Sequence, residues 1–284
     1  MRKSIDIKRV LLMTIELSLS VNNLTDFSIY EEASQPIRNN GKLPFVEILW
    51  DNYCHLAPDK IVEYLSTFSD CIAFHIMWSR FLDRDSEQFE EFLHHLKSHI
   101  DVIQPLYISD HICTFHQGNV YVKSGLEFNY ENPEYVWRRI ERYQNYIGRQ
   151  ILLENFASMT SEGYKQIEFF ETMVTQTGCG IFFDISNARV AEYNGFTPLI
   201  DWIDLLKGMP ELHCHVGGYE YNDNDNYYRD SHGDDISSQT LLDIENVVSS
   251  LDVKSICYER EHHKISHKMA QDLAKIASIG GEIK

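Results

Sequence analysis

The stretch QILLENFASMTSEGYKQIEFFETMVTQTGCGIFFDIS, residues 150–186, decides the fold of this chain. It begins with a short apolar run, QILLENF, continues through YKQIEFFETMVTQT, which has helical periodicity, and ends in a second apolar run, GIFFDIS. Near-continuous apolar strands that are joined by a helix are typical of parallel strands buried on both faces. The stretch therefore predicts a strand–helix–strand unit of an α/β protein.

The same alternation continues along all 284 residues. Eight apolar runs are predicted as strands: VLLMTIELSL (10–19), PFVEILW (44–50), CIAFHIM (71–77), PLYISDHI (105–112), QILLENF (150–156), GIFFDIS (180–186), LHCHVG (212–217) and SICYERE (255–261). Six segments between them have helical periodicity: 57–68, 86–103, 132–147, 164–177, 197–208 and 237–251. This order predicts one closed (β/α)8 barrel domain over residues 1–284. A doubly wound open sheet is the alternative, although no GxGxxG motif follows the first strand to support it.

The composition is that of an acidic globular protein. Hydrophobic residues make up 43% of the chain and aromatic residues 12%, which is enough for a large core. The formal net charge of −18 would repel nucleic acid phosphates and anionic lipid, so we expect neither nucleic acid nor a membrane as partner. The N-terminal segment runs into Glu16 where a signal peptide would need small residues, which predicts a cytoplasmic protein.

Polar side chains end the apolar runs from the third predicted strand onward. They are His75, Asp110 and His111, Glu154 and Asn155, Asp184, His215, and Glu259. A lone histidine at such a place is more often a core side chain, and a lone acid often caps a helix. Six strands in succession with this feature indicate a common site, because the carboxyl ends of barrel strands meet at one face.

Two loop groups are expected to join these strand ends. Asn187 lies three residues after Asp184, where the chain is predicted to turn from strand into helix and bring the amide back over the site. Asp230 and His232 are separated by one residue in YYRDSHGDD, residues 227–235, so an extended loop points both side chains the same way. His213 is expected to face the helices, on the opposite side of its strand from His215.

Carboxylates that converge in this way need positive charge among them, since like charges raise each other's pKa values and destabilise the fold. Bound cations remove that cost. Imidazole and carboxylate ligands without thiolate suit iron, zinc or manganese, and the six cysteines occur singly with no CxxC pair. The candidate ligands are enough for two or three ions: His75, His111, Glu154, Asp184, Asn187, His215, Asp230, His232 and Glu259. Asp110 and Asn155 are predicted to lie beside these ligands and to orient a histidine or a bound water.

The order of these residues resembles that of the xylose-isomerase-like barrels, notably the trinuclear zinc endonuclease IV class. Asn187 departs from that class, which has a histidine at the matching position. The segments FVEILWDNYCHLAPDKI, AFHIMWSRFLDRD, YISDHI, LLENF, FFDISNA, HCHVGGY, RDSHGDD and CYERE resemble more closely the MbnB-like branch of the multinuclear non-heme iron-dependent oxidative enzymes. This family modifies ribosomally made peptides, and the similarity runs in order from the second strand to the last.

The resemblance implies two to three iron ions, in mixed Fe(II)/Fe(III) states, with O2 as co-substrate. It implies oxidation of a cysteine in an MbnA-like precursor peptide by four electrons to an oxazolone and a thioamide, as in methanobactin biosynthesis. It also implies a heterodimer with a small MbnC-like partner protein.

The trinuclear barrels further imply how the ligands are shared. Glu154 would bridge two ions, and His75 and His111 would hold one of them with it. The second ion would be held by Asp184, His215 and Glu259, and the third by Asn187, Asp230 and His232.

Three functions remain open at this point. The first is the iron- and O2-dependent oxidase of peptide cysteines, or another peptide-cysteine modification by the same iron family. The second is a metal-dependent hydrolase or nuclease of the endonuclease IV type. The third is a metal-storing or peptide-binding module without turnover.

Overall fold

The computed structural model describes residues 15–279. Its strands are β1 (Glu16–Leu19), β2 (Val46–Leu49), β3 (Ile72–Ile76), β4 (Ile108–His111), β5 (Cys113–Gln117), β6 (Val120–Glu127), β7 (Leu152–Glu154), β8 (Gly180–Asp184), β9 (Leu212–Gly217), β10 (Tyr219–Asn222), β11 (Tyr227–Asp230) and β12 (Val253–Glu259). Eight of them pair in parallel in the order β1-β12-β9-β8-β7-β4-β3-β2. A parallel bridge between Ser20 and Glu47 joins the two ends of this sheet. The predicted (β/α)8 barrel is therefore confirmed.

Each of the eight predicted apolar runs overlaps one barrel strand, and only β12 begins outside its run, two residues before the predicted start at 255. The first run was predicted from residue 10, and its positions 10–14 lie outside the described residues. The two remaining pairs, β5 with β6 and β10 with β11, are antiparallel hairpins that extend the loops after β4 and β9. The second hairpin includes Tyr227–Asp230, the first part of the segment that the sequence predicts as an extended loop.

Helices cover the outside of the barrel. Within the described residues they are α1 (Phe27–Ala33), α2 (Pro58–Leu65), α3 (Ser86–Ile103), α4 (Pro133–Ile147), α5 (Gln166–Thr177), α6 (Ile185–Tyr193), α7 (Leu199–Leu206), α8 (Ser238–Ser250) and α9 (Ser266–Ala277). All six predicted helical segments contain one of them. The predicted turn from strand into helix after Asp184 is the start of α6, whereas α1 and α9 were not predicted. Local capping sets several ends: the Asp85 side chain accepts a hydrogen bond from the Gln88 amide, and Gly178 ends α5 with a left-handed φ of 66°.

Two layers of side chains fill the molecule. The larger layer lies between the sheet and the helices, and a smaller apolar cluster includes Phe45, Ala73, Tyr107, Phe182 and Cys257. These five residues alternate along their strands with the residues that face the helices, so they fill the inside of the barrel. No helix among the described residues is both long and apolar enough to span a membrane.

His213 belongs to the inside of the barrel, and the prediction that it faces the helices is wrong. Its ring centroid lies 4.6 Å from that of Tyr107, and its Nδ1 lies 2.7 Å from the hydroxyl of Ser255. The reason is the strand period: residues two apart point to the same face, so His213 and His215 must share a side.

A buried arginine fixes the loop between β3 and α3 to helix α4. Arg139 donates from Nε to the Phe81 carbonyl at 2.6 Å and from Nη2 to the Arg84 carbonyl at 2.9 Å, and its guanidinium lies 4.1 Å from the Phe89 ring centroid.

Arg139→Met should therefore lower the free energy of unfolding by about 2–4 kcal/mol, because it leaves buried carbonyls unpaired. Chemical denaturation measures this change. The matched control is Arg138→Met at an exposed position of the same helix, which should stay within about 0.5 kcal/mol. Equal effects of the two variants would contradict the structural role of Arg139.

Candidate metal centre

The structure brings the nine candidate ligands together at the carboxyl ends of the barrel strands. Glu154 lies at the middle of the group. Its Oε2 is 3.2 Å from Nε2 of His111 and 3.7 Å from Nε2 of His75, and its Oε1 is 3.8 Å from Nδ1 of His215. Asp184 offers an oxygen within 4.8 Å of ligand atoms of Glu154 and His215.

The remaining ligands extend the group toward the loops. Glu259 Oε2 lies 3.2 Å from Nδ1 of His215 and 3.4 Å from Nδ1 of His232, whose Nε2 is 2.8 Å from Asp230 Oδ1. The Asn187 side chain contacts Glu154, with Nδ2 3.2 Å from Oε1. These contacts bring His75 and His111 to Glu154 and place Asn187 beside Glu154, while the sharing of these residues between ions stays a prediction.

Buried polar atoms without partners mark the centre as a place for cations. Each of six candidate ligands presents an atom that is shielded from solvent and makes no hydrogen bond within residues 15–279: Glu154 Oε2, Asp184 Oδ2, Asn187 Oδ1, His215 Nδ1, Asp230 Oδ1 and His232 Nε2. The last two lie 2.8 Å apart, but their orientation does not form a hydrogen bond. Buried polar atoms are almost always hydrogen-bonded in folded proteins, so six orphans in one group call for a ligand. Oxygen and imidazole nitrogen atoms with free lone pairs fit metal ions.

Local structure aims Asp184 and Asn187 at the centre. Asp184 is the N-cap of α6, where its Oδ1 accepts a 2.7 Å hydrogen bond from the Asn187 amide and leaves Oδ2 free. Asn155 clamps the backbone of Asp184: its Nδ2 donates to the Asp184 carbonyl at 2.9 Å, and its Oδ1 accepts from the Asp184 amide at 2.8 Å. The contacts of Asn155 therefore hold a candidate ligand in place through its backbone and do not orient a histidine.

Asp110 does not contact a histidine ring among the described residues, while its alternative role toward a bound water stays a prediction. Its carboxylate accepts a 2.8 Å hydrogen bond from the backbone amide of His111, and it points to the opposite face of β4 from the His111 ring. The histidine rings are oriented by other groups. Nδ1 of His75 lies 2.9 Å from the Ser109 hydroxyl, and Nδ1 of His111 lies 3.1 Å from the Ile76 carbonyl.

Sequence reasoning missed Glu47, which lies on β2 with none of its surface exposed. Both of its carboxylate oxygens are 2.9 Å from Nε2 of His215, and the Tyr107 hydroxyl donates to Oε2 at 2.9 Å. The available signal was a single charge inside the apolar run PFVEILW, which an ordinary buried strand does not carry.

Two adjacent glycines allow the loop with Asp230 and His232 to pack against the end of β9. A Cβ atom on Gly218 would collide with the carbonyl oxygen of Asp234, and one on Gly217 would collide with the His232 ring. The amide of His232, which has a left-handed φ of 44°, donates to the Gly218 carbonyl at 2.9 Å. The loop is thus held by the barrel itself.

The pKa values of the buried carboxylates indicate that the centre needs additional positive charge. Burial, together with the nearby Glu154 and Asp230 carboxylates, raises the pKa of Asp184 to about 7. Burial raises the pKa of Glu259 to about 8, against the opposing effect of His232. Burial would also raise the pKa of Glu154, but the surrounding imidazoles hold it below its ordinary value. The centre cannot keep all its carboxylates ionised at neutral pH without cations.

Comparison with known proteins now identifies the family. A family model described as RiPP precursor modification enzyme MbnB/TglH/ChrH matches residues 28–280, where RiPP denotes a ribosomally made and modified peptide. The chain belongs to this family. The predicted relationship to the family that contains the MbnB-like enzymes is therefore confirmed.

Curated relatives are similar over part of their length. The chain is 32% identical to a UPF0276 protein of Anaeromyxobacter sp. over 140 residues, which are 47% of this chain and 48% of the relative. It is 30% identical to a UPF0276 protein of Acaryochloris marina over 149 residues, 50% of this chain and 53% of the relative. The chain thus spans about half the length of these curated relatives.

Solved structures share the barrel fold. A putative xylose isomerase from Rhodospirillum rubrum superposes with a TM-score of 0.59 at 12% identity, covering 94% of this chain and 99% of that one. A xylose isomerase-like TIM barrel protein from Mycobacterium smegmatis, in complex with magnesium, has a TM-score of 0.55 at 12% identity with the same coverage. At such identities the likeness shows the fold alone.

Raising the pH should destabilise the metal-free protein. In the folded chain the pKa values of Asp184 and Glu259 are about 7 and about 8, compared with ordinary values of 3.8 and 4.5. The stability that their protons contribute is fully present below the ordinary values and is lost as the pH rises through 7 and 8. We expect the melting temperature of chelator-treated protein to fall between about pH 6 and about pH 8.5.

Metal-loaded protein provides the control for this pH series. Because bound cations stabilise the ionised carboxylates, the loaded protein should show a smaller fall over the same range. A melting temperature of the metal-free protein that rises with pH would contradict the assigned pKa shifts.

Proposed function

We propose that this protein is an iron- and O2-dependent oxidase that converts cysteine residues of a ribosomally made precursor peptide to oxazolone and thioamide groups, as in methanobactin biosynthesis. It would act with a small MbnC-like partner protein in a heterodimer, on an MbnA-like peptide, in the cytoplasm. The membership of the peptide-modification family carries the proposal, together with the nine candidate ligands that converge at the barrel mouth.

The ligand set supports iron. The free side-chain atoms at the centre are carboxylate and amide oxygens and imidazole nitrogens, and the oxygen of Asn187 is a harder ligand than the histidine of the endonuclease IV class. Bound iron would supply the electron transfer to O2 that this chemistry requires. Two or three ions, with Glu154 shared between two of them, would use the ligands that lie together.

The proposed reaction balances with a single O2 for each cysteine. The cysteine and the amide before it lose four electrons and four protons as the oxazolone and thioamide form. One O2 takes up these electrons and protons and gives two waters. The role of the chain is to hold the thiol and O2 next to each other in a buried cup, which is a contribution of proximity and orientation.

A large cavity offers the peptide a docking site close to two of the strand ends. Its volume is about 1250 Å³. Thr114, three residues after His111, and Phe156, two residues after Glu154, belong to its wall. None of the nine candidate ligands lines the cavity, so it would hold a part of the peptide other than the reacting cysteine.

The side chains of the cavity suit a peptide with neutral or basic residues. Tyr135 and Met159 are 40% and 49% exposed there, and residues of these types are enriched where proteins bind other chains. Glu131 and Glu134 add negative charge to the wall. They would attract cationic side chains on the peptide.

The runner-up is a metal-dependent hydrolase or nuclease of the endonuclease IV type. The same order of ligands on the same kind of barrel favours it. The net charge of −18 and the presence of Asn187 in place of a histidine count against it, because a nuclease must attract phosphate.

The test is oxidation of the peptide by protein that has been loaded with iron under anaerobic conditions. The substrate is a short cysteine-containing peptide of the MbnA type, and an MbnC-like partner protein is added. We expect O2 to be consumed and the peptide to lose four hydrogen atoms per modified cysteine, which mass spectrometry detects. Zinc-loaded protein that cleaves phosphodiesters, while iron-loaded protein leaves the peptide unchanged, would contradict the proposal.

Variants of the ligands sharpen this test. Asp230→Ala and His232→Ala should lower the iron content and abolish peptide oxidation while the barrel stays folded, because both residues lie in a loop. Glu154→Gln should be more severe, since its carboxylate contacts three histidines. The matched control is Asp223→Ala in the exposed turn of the β10–β11 hairpin, which should keep full iron and activity. Full iron and activity in the Asp230 or His232 variant would show that the loop is not part of the centre.

A further inference from the structure

We infer that Glu47 is a positioning residue, whose buried carboxylate keeps the proton of the His215 ring on Nε2 and thereby presents Nδ1 to a metal ion beside Glu154, Asp184 and Glu259. The inference rests on the metal centre of the proposed function. It does not depend on the identity of the peptide or on the reaction.

The His215 ring lies between Glu47 and the candidate ligands. On one side, Nε2 is 2.9 Å from both oxygens of Glu47. On the other side, Nδ1 is 3.2 Å from Glu259 Oε2 and 3.8 Å from Glu154 Oε1, and it lacks a hydrogen-bond partner in the described part of the chain. An imidazole that binds a metal through one nitrogen carries its proton on the other, where it needs an acceptor. Glu47 is that acceptor.

Glu47 is itself held so that it cannot turn away. The Tyr107 hydroxyl donates to its Oε2 at 2.9 Å, and the Cys257 thiol lies 3.6 Å from its Oε1. Its backbone carbonyl accepts a 2.8 Å hydrogen bond from the amide of Val21, at the seam where the barrel closes. The carboxylate is therefore fixed from its side chain and from its backbone.

Among the described residues, His215 is the ion-pair partner of Glu47. The inside of the barrel below the centre contains the apolar residues Phe45, Ala73 and Phe182 beside the polar Tyr107 and His213, and the Phe182 ring centroid is 4.4 Å from that of His215. A buried carboxylate destabilises a protein unless it is paired. A role toward His215, and through it toward a metal, explains why the charge is kept there.

The His215 ring differs from the His75 and His111 rings in the group that contacts the nitrogen facing away from Glu154. His75 contacts a hydroxyl and His111 a backbone carbonyl, both neutral, whereas His215 contacts a carboxylate. A carboxylate behind a ligating imidazole makes the ring a stronger donor and fixes its orientation. Loss of Glu47 should therefore weaken one metal site, the one that His215 shares, and leave the others nearly unchanged.

The first experiment measures binding of Co²⁺ alone to Glu47→Gln and to the unchanged protein. Because loss of such a partner typically costs about 10- to 100-fold in metal affinity, we expect a loss in this range at one site, with a changed visible absorption spectrum. The matched control is Tyr107→Phe, which keeps the Glu47–His215 contact and should lose less affinity. Equal affinity and an equal spectrum in folded Glu47→Gln would overturn the inference.

A second measurement covers the case in which Glu47→Gln does not fold. Long-range ¹⁵N–¹H NMR on the unchanged protein loaded with Zn²⁺ reports which nitrogen of His215 carries the proton. We expect the proton on Nε2, and a proton on Nδ1 would overturn the inference. Neither measurement uses peptide or O2, so a protein that fails to oxidise a peptide can still confirm or contradict the role of Glu47.

Discussion

Repulsion between carboxylates in a buried cup is the constraint on which the rest of this structure depends. Glu154, Asp184 and Glu259 are each at most 2% exposed, and Asp230 lies beside them with His232. Without cations, Asp184 and Glu259 keep their protons up to pKa values of about 7 and about 8. Without bound cations, the chain therefore holds buried carboxylates that have little solvent and too little positive charge beside them. Such carboxylates are typical of metal centres.

The barrel tolerates this site because it fixes each ligand through rigid backbone. The strand ends supply six of the nine candidate ligands, and helix capping by Asp184 places Asn187 beside Glu154. The remaining two, Asp230 and His232, lie in the loop that packs closely on Gly218. The loops after β4 and β7 contribute to the large cavity that we propose as a docking site for the peptide. Stability comes from the apolar layers below and around the centre, and function from its polar rim.

Much of this could be predicted from the sequence, for two physical reasons. Apolar runs separated by helical segments specify parallel strands with little ambiguity, and all eight were located. Polar residues at the ends of such runs must lie on one face of a barrel, so the ligands of the strand ends could be named before the structure. The loop pair Asp230 and His232 followed from its spacing of one residue.

The rest depends on contacts that sequence spacing does not reveal. Glu47 and His215 are 168 residues apart, so their pairing appears only when the barrel closes. The turn into helix α6 directly after Asp184 could be predicted, but its end at Tyr193 could not, because no linker separates this helix from its strand. Asp110 was placed beside a histidine in sequence, but the alternation of strand faces turns it away from the centre. The prediction for His213 was wrong because residues two apart on a strand point to the same face, a rule that needs only the sequence.

The most direct test of the central claim is anomalous diffraction at the iron edge from crystals of protein prepared anaerobically with iron. If iron ions neutralise these acids, the anomalous map should show two or three iron peaks among the nine candidate ligands. Glu154 should lie next to two of these peaks. A barrel mouth without iron, in which the carboxylates pair only with the neighbouring histidines, would contradict it.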